Sequence, residues 1–267
     1  MRLFIQPLIQ HPFLIWQLAK RDVTARYRGS VLGLLWSIGR PLLMLAVYTF
    51  VFSVVFEVRW NQPGIGDNRF TFAVVLFAGL IVHGLLADCL NRAPTLVLAN
   101  ANYVRKVVFP LDSLSYVLLI SSLFHTAVSF LVLLGAYVIF IGVPPLTALL
   151  APIALLPLIP LFLGLGWALA ALGVFLRDIG EVTAIMTTIL LFVSPIFFPI
   201  EQFPEELRFL LYYNPLTLII ESLRQVVLYG QQPDWLALGI YSIAALAFAQ
   251  AGYWLFLKSR RGFSDVI

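Results

Sequence analysis

Charge is scarce in this chain of 267 residues. Asp, Glu, Lys and Arg together make up 11% of it, against about 25% in an ordinary soluble domain. Hydrophobic residues account for 61% and the mean hydropathy is +0.96, so the sequence is that of a membrane protein. The lone cysteine, Cys89, excludes an internal disulfide, and His11, His83 and His125 stand far apart with no His-Glu-x-x-His run. Zinc hydrolase chemistry therefore has no ligand set, and no metal site is expected. No glycine is followed by lysine, which excludes a Gly-Lys-Ser/Thr phosphate loop. Paired carboxylates at helical spacing are also missing from the apolar stretches, so an ion-coupled carrier would lack its relay. Ser122 and His125 lie three apart but have neither a Gly-x-Ser-x-Gly elbow nor a third partner. No catalytic residue is assigned.

What the chain has instead is long apolar runs. They predict an all-α membrane protein with six transmembrane helices over 31–56, 70–90, 113–140, 146–176, 182–200 and 235–257, each of the length a bilayer requires. Six spans of about 20 residues use about 120 positions, which leaves connections but no room for a nucleotide-binding domain; residues 1–267 read as one transmembrane domain. Pro152, Pro157 and Pro160 are expected to distort the fourth span. The N-terminus, with two early prolines and no small-residue cleavage site, does not read as a removable signal peptide. Six spans put both termini on one side. With that side cytoplasmic, thirteen of the seventeen Lys and Arg lie inside and only Arg59, Arg69, Arg208 and Arg224 outside. This satisfies the positive-inside rule and makes the net charge of +4 a topology signal, with no nucleic-acid partner.

Three connecting segments carry patterns of their own. Over 13–28, Trp16, Ala19, Val23 and Tyr27 share one helical side while Gln17, Lys20, Thr24 and Arg28 share the other, as in a helix lying in the membrane interface among lipids. Pro94 and Pro110 bracket a cytoplasmic segment long enough for about three helical turns. Over 201–230, two apolar helical stretches separated by Asn214-Pro215 are too short to cross a bilayer about 30 Å thick and too apolar for a solvated loop. They predict a re-entrant or interfacial helical pair on the outer side, a cap or a gate, with Glu221 and Arg224 within one turn of each other. Arg40 is the one arginine expected inside the membrane: with span one starting near Ser30 it lies about 15 Å along the helix.

The run RDVTARYRGSVLGLLWSIGRPLLMLAVYTFVFSVVF at 21–56 resembles the opening of permease subunits of type 2 ABC exporters, in the polysaccharide and polyol phosphate export branch. NANYVRKVVFP at 100–110, LRDIGEV at 176–182 with SPIFFP at 194–199, and YNPLTLIIESLRQVVLYG at 213–230 match in order, covering nearly the whole chain. The resemblance implies a transport subunit that is not itself an enzyme. It implies a homodimer of this chain, driven by two copies of an ABC ATPase subunit that binds the ATP and Mg, with no cofactor on this chain. It places the ATPase-coupling helix at Asn100, Asn102, Tyr103, Val104, Arg105 and Lys106. The substrate entrance falls near Arg26, Arg28 and Arg40, and the outward gate at Tyr212, Tyr213, Asn214, Pro215, Glu221 and Arg224. Arg40, before the span-one proline, departs from the family's usual pattern. The implied cargo is a lipid-linked glycan of the O-antigen, capsule or teichoic acid kind, moved across a bacterial inner membrane. A permease for a drug or small lipid is the alternative.

Overall fold

The computed structural model describes residues 3–55, 70–104 and 109–266. Among these residues every regular element is helical, and five helices are long and apolar enough to cross a membrane: Gly33–Phe52, Thr71–Arg92, Ser113–Phe140, Leu146–Phe175 and Trp235–Gly262.

Helix α1 (Pro12–Ala25) opens on Pro12, whose missing N–H is harmless at the first helical position. It packs against a later span through Ile15 and Ala19. Trp16, on the apolar side expected to face lipid, is 60% exposed and Phe13 is 74% exposed; the stripe that contacts protein runs through Ile15 and Ala19 instead. The chain then turns through residues 26–30, with Gly29 at φ 88. A 3-10 turn, Gly33–Leu35, leads into α2 (Trp36–Tyr48), which continues as the π-helical Thr49–Val55.

Helix α3 (Thr71–Arg92) is the centre of the fold. Its apolar stretch is 78% buried, and it touches α2, α4 (Ser113–Phe140), α5 (Leu158–Phe175), α6 (Ile179–Phe192) and α8 (Thr217–Val227). The fourth apolar stretch reaches α5 through a 3-10 turn, Leu146–Leu150, and a five-residue helix, Ala151–Leu155. The helix breaks at Leu156-Pro157 because neither Pro157 nor Pro160 can donate to the preceding turn.

The expected helix over 182–200 takes a different form. Helix α6 has 14 residues, about 21 Å at 1.5 Å per residue, and residues 194–199 follow as turns and bends. Pro195 disfavours helical geometry at Ser194, so the helix stops just before it. Beyond it, α7 (Arg208–Tyr213) and α8 form a hairpin, and Gly230, at φ 67, supplies the left-handed residue that ends it. The last span, α9 (Trp235–Ser259), is capped by Asp234, whose carboxylate accepts from the Ala237 N–H at 3.0 Å.

Helices α5 and α9 share the most extensive helix-helix contact among the described residues. Ala245, Ala249 and Gly252 are buried in it, and a Cβ on Gly252 would fall 2.3 Å from the Gly164 carbonyl oxygen. Only glycine permits backbones this close, and between helices in lipid such packing replaces the hydrophobic drive.

Candidate functional site

The turn after α1, α2, the later part of α3 (Phe77 to Asp88) and the middle of α4 (Ser122 to Ser129) line a groove of about 590 Å³. Arg26 and Arg40 both line it, with Tyr27, Trp36, Tyr48, Asp88 and His125, whereas Arg28 does not. Because α2 begins at Trp36, Arg40 lies only about 6 Å into it. That is shallower than the 15 Å implied by a span beginning near Ser30, and its exposed side chain opens into the groove. Tyr27 is buried, with its hydroxyl 3.1 Å from His125 Nδ1. Burial raises the Tyr27 phenol above its ordinary pKa, with the positive Arg26 and Arg40 pulling it partly back. The group therefore stays a neutral O–H in the groove wall.

Beside the groove two acids and two bases alternate. Arg26 meets Asp88 at 2.5 Å, and Arg92 holds both oxygens of Asp22 at 2.7 and 2.8 Å while lying 3.6 Å from Asp88. Ser122 donates to Asp88, and Arg92 donates to Ser121 at 3.2 Å. The cluster ties α1 to α3 and α4. Sequence reasoning singled out only Arg26 of the four charged residues. The available signal was the matching pair of acid-base steps at i,i+4, Asp22 with Arg26 and Asp88 with Arg92, which in the fold exchange partners.

The segment expected to hold three helical turns contains a 3-10 turn, Leu98–Asn100, and one turn of helix, Ala101–Val104. The Tyr103 ring stacks on Phe109 with centroids 4.1 Å apart, and its hydroxyl accepts from Arg21 of α1 at 3.0 Å. Asn100 spends its amide on the Leu96 carbonyl at 2.9 Å, Val104 packs against the core, and Asn102 is exposed. Arg105 and Lys106 lie outside the described residues. The start of the segment is fixed by α5, where a Cβ on Gly173 would meet the Pro94 oxygen at 2.0 Å.

In the expected gate segment Tyr212 and Tyr213 are 70% and 86% exposed, so α7 presents an aromatic face at the surface. Asn214 does the opposite: its amide donates to Val193 O at 3.1 Å and Ser194 Oγ at 2.8 Å, and its oxygen accepts from the Leu216 N–H at 2.9 Å. The Pro215 carbonyl accepts from Tyr241 of α9 at 2.9 Å. Arg224 pairs with Glu221 at 2.9 Å as expected from their spacing, yet it is no surface residue. Its guanidinium is fully buried and donates to the carbonyls of Pro195, of Ile196 at 3.0 Å and of Val75 at 3.3 Å.

Among the described residues no group of three or more His, Cys, Asp or Glu is placed to hold a metal ion. The arrangement offers a partly neutralised cationic groove beside α1 and α2 and an aromatic-faced, hydrogen-bonded hairpin at α7 and α8.

Comparison with known proteins gives one family match, ABC-2 type transporter, over residues 13–228. The chain is 25% identical over 255 residues to the O-antigen export system permease protein RfbA of Klebsiella pneumoniae, covering 94% of this chain and 93% of that one. It is 25% identical over 265 residues to the protein of the same name from Myxococcus xanthus, covering 98% of each. It is also 26% identical over 231 residues to the polysialic acid transport protein KpsM of Escherichia coli, covering 85% of each.

Proposed function

The chain belongs to the ABC-2 type transporter family, and from that premise we propose that it is the membrane subunit of an ATP-driven exporter of lipid-linked polysaccharide. Similarity along nearly the full chain to permeases named for O-antigen export, and over most of it to one named for polysialic acid transport, supports a glycan as cargo. In this reading a homodimer encloses the pathway and a separate ATPase, in two copies, binds ATP and Mg. The protein sits in a bacterial inner membrane with both termini cytoplasmic. Helix α6 with the irregular residues 193–199 makes the sixth crossing, and the α7–α8 hairpin is the outward gate.

The observation that carries the proposal is the groove lined by Arg26 and Arg40 beside Tyr27, Trp36 and Tyr48. A lipid-linked glycan is anionic at its phosphate and amphiphilic at its sugars. Guanidinium forks match phosphate oxygens, and aromatic faces accept sugar C–H surfaces. Arg40, one turn into α2, is at the depth where a headgroup phosphate from the inner leaflet arrives. The Arg21–Tyr103 hydrogen bond links the coupling segment to α1, so movement of a docked ATPase has a direct route to the groove.

The test uses the permease and its ATPase in lipid nanodiscs. Arg40→Gln should assemble normally while losing hydrolysis stimulated by lipid-linked glycan, and Arg40→Lys should recover part of it because an ammonium cannot form the planar two-point contact. Wild-type stimulation in the Gln variant would end the phosphate-binding role. Stimulation by hydrophobic drugs or simple lipids, with none from the glycan lipid, would favour the drug or small-lipid reading.

A further inference from the structure

A helix that stops inside a membrane leaves carbonyls without donors, and such a break is tolerated only where protein supplies them. After α6 ends, side chains of the outer hairpin supply those donors: Asn214 serves Val193, and Arg224 serves Pro195 and Ile196. The same guanidinium reaches Val75 of α3 at 3.3 Å. Its seat on α3 is made by Gly79, where an added Cβ would lie 3.2 Å from Arg224 Nη2 and 3.3 Å from Ile196 Cγ1. The hairpin is tied at two further points, by Tyr241 to the Pro215 carbonyl and by Thr147, whose hydroxyl donates to Val226 O at 2.7 Å.

We propose that Arg224 is the positioning residue of the outward gate: seated in the Gly79 notch, its guanidinium binds the non-helical end of α6 and the α7–α8 hairpin into one rigid cap. The cap moves as a body about that seat, and the hairpin does not open alone. Naming this cap a gate rests on the exporter reading; its rigidity does not. Arginine is required because the donors must diverge toward three carbonyls on two separate stretches of chain, which the single nitrogen of lysine cannot span. Glu221 balances the buried charge from within α8.

The experiment measures labelling of single cysteines in the full-length Cys89→Ser chain in native membranes with an impermeant thiol reagent, and reads it on the folded, monodisperse fraction recovered after solubilisation. Ile196→Cys reports the broken segment, Leu211→Cys the hairpin and Ala245→Cys the α5–α9 contact; all three positions are buried. With Arg224→Lys, labelling at Ile196 and Leu211 should rise together, several-fold, while Ala245 stays unchanged. Gly79→Ala keeps every hydrogen-bonding group and should give the same paired rise at smaller amplitude, so the proposal stays testable if Arg224→Lys does not fold. A rise at Leu211 alone, or unchanged labelling of the folded fraction in Gly79→Ala, would overturn it. A role confined to stability would lower yield and leave labelling of the folded fraction as in the parent. The labelling needs neither substrate nor ATPase, so its failure is separate from failure of the exporter reading.

Discussion

Asp88→Asn should move stability and ligand affinity in opposite directions. The carboxylate accepts from Arg26 at 2.5 Å, lies 3.6 Å from Arg92, and is held by Ser122. Asparagine keeps the shape and an acceptor oxygen but removes the charge. Hydrogen bonds to charged groups are worth about 1.5–3 kcal/mol each. Here the Arg26 and Asp88 side chains keep 26% and 25% of their exposure, so solvent screens part of that. The expected loss is about 2 kcal/mol, or about 30-fold in the folded-to-unfolded ratio. If Arg26 also receives the substrate phosphate, the same carboxylate competes with the ligand and repels it. With charges about 8 Å apart and an effective dielectric near 20, that repulsion is about 2 kcal/mol before salt screening. Its removal should tighten binding of a short-chain polyprenyl phosphate by about fivefold, after screening reduces the gain to about 1 kcal/mol. Reversible denaturant titration and ligand titration on one nanodisc preparation supply both numbers. A variant that loses stability while its affinity is unchanged or weaker would refute the assignment of Arg26 to the anion.

Two further outcomes test coupling and topology. Tyr103→Phe deletes only the Arg21 hydrogen bond and should lower export per ATP modestly, whereas Tyr103→Ala also removes the stack on Phe109 and should leave hydrolysis running with little export; wild-type coupling in the alanine variant, measured in reconstituted vesicles, would discard the coupling role. In a Cys89→Ser background, cysteines at the exposed Gln202 and Gln232 should react with an impermeant reagent from outside and those at Asn102 and Ser264 should not; the reverse pattern would invert the topology.

The spans were legible because bilayer thickness converts directly into run length: Ser113–Phe140 coincides with the apolar run that announces it. The same rule fails for α6. Hydropathy reads straight through Ser194 and Pro195, while the backbone stops there and takes its donors from Asn214 and Arg224, residues distant in sequence. The burial of Arg224 was not legible for the complementary reason, since carbonyl partners on other segments leave no trace in a local pattern. In the inner groove, Arg26 and Arg40 converge and Arg28 does not, because the chain reverses at Gly29 immediately after it. The pairing of Asp22 with Arg92 joins α1 to the end of α3, and helical spacing showed only the two halves. Over α1 the pattern showed an apolar side with Trp16 but not that Ile15 and Ala19 would meet protein, because a 3.6-residue period does not say which apolar row packs.

The glycine contact between α5 and α9 also has a consequence for how the chain is tethered. Gly164 and Gly252 bring two spans together that are far apart in sequence, so the intervening chain is a closed loop knotted at its base by a backbone contact. Within that loop lie α6, its broken end and the whole outer hairpin. Loop closure removes conformational freedom from whatever it encloses, at a cost that grows only slowly with length. The outer machinery is thus confined to the vicinity of one fixed knot however far it swings. Widening the knot, as Gly252→Val would, lengthens the tether for every part of it at once.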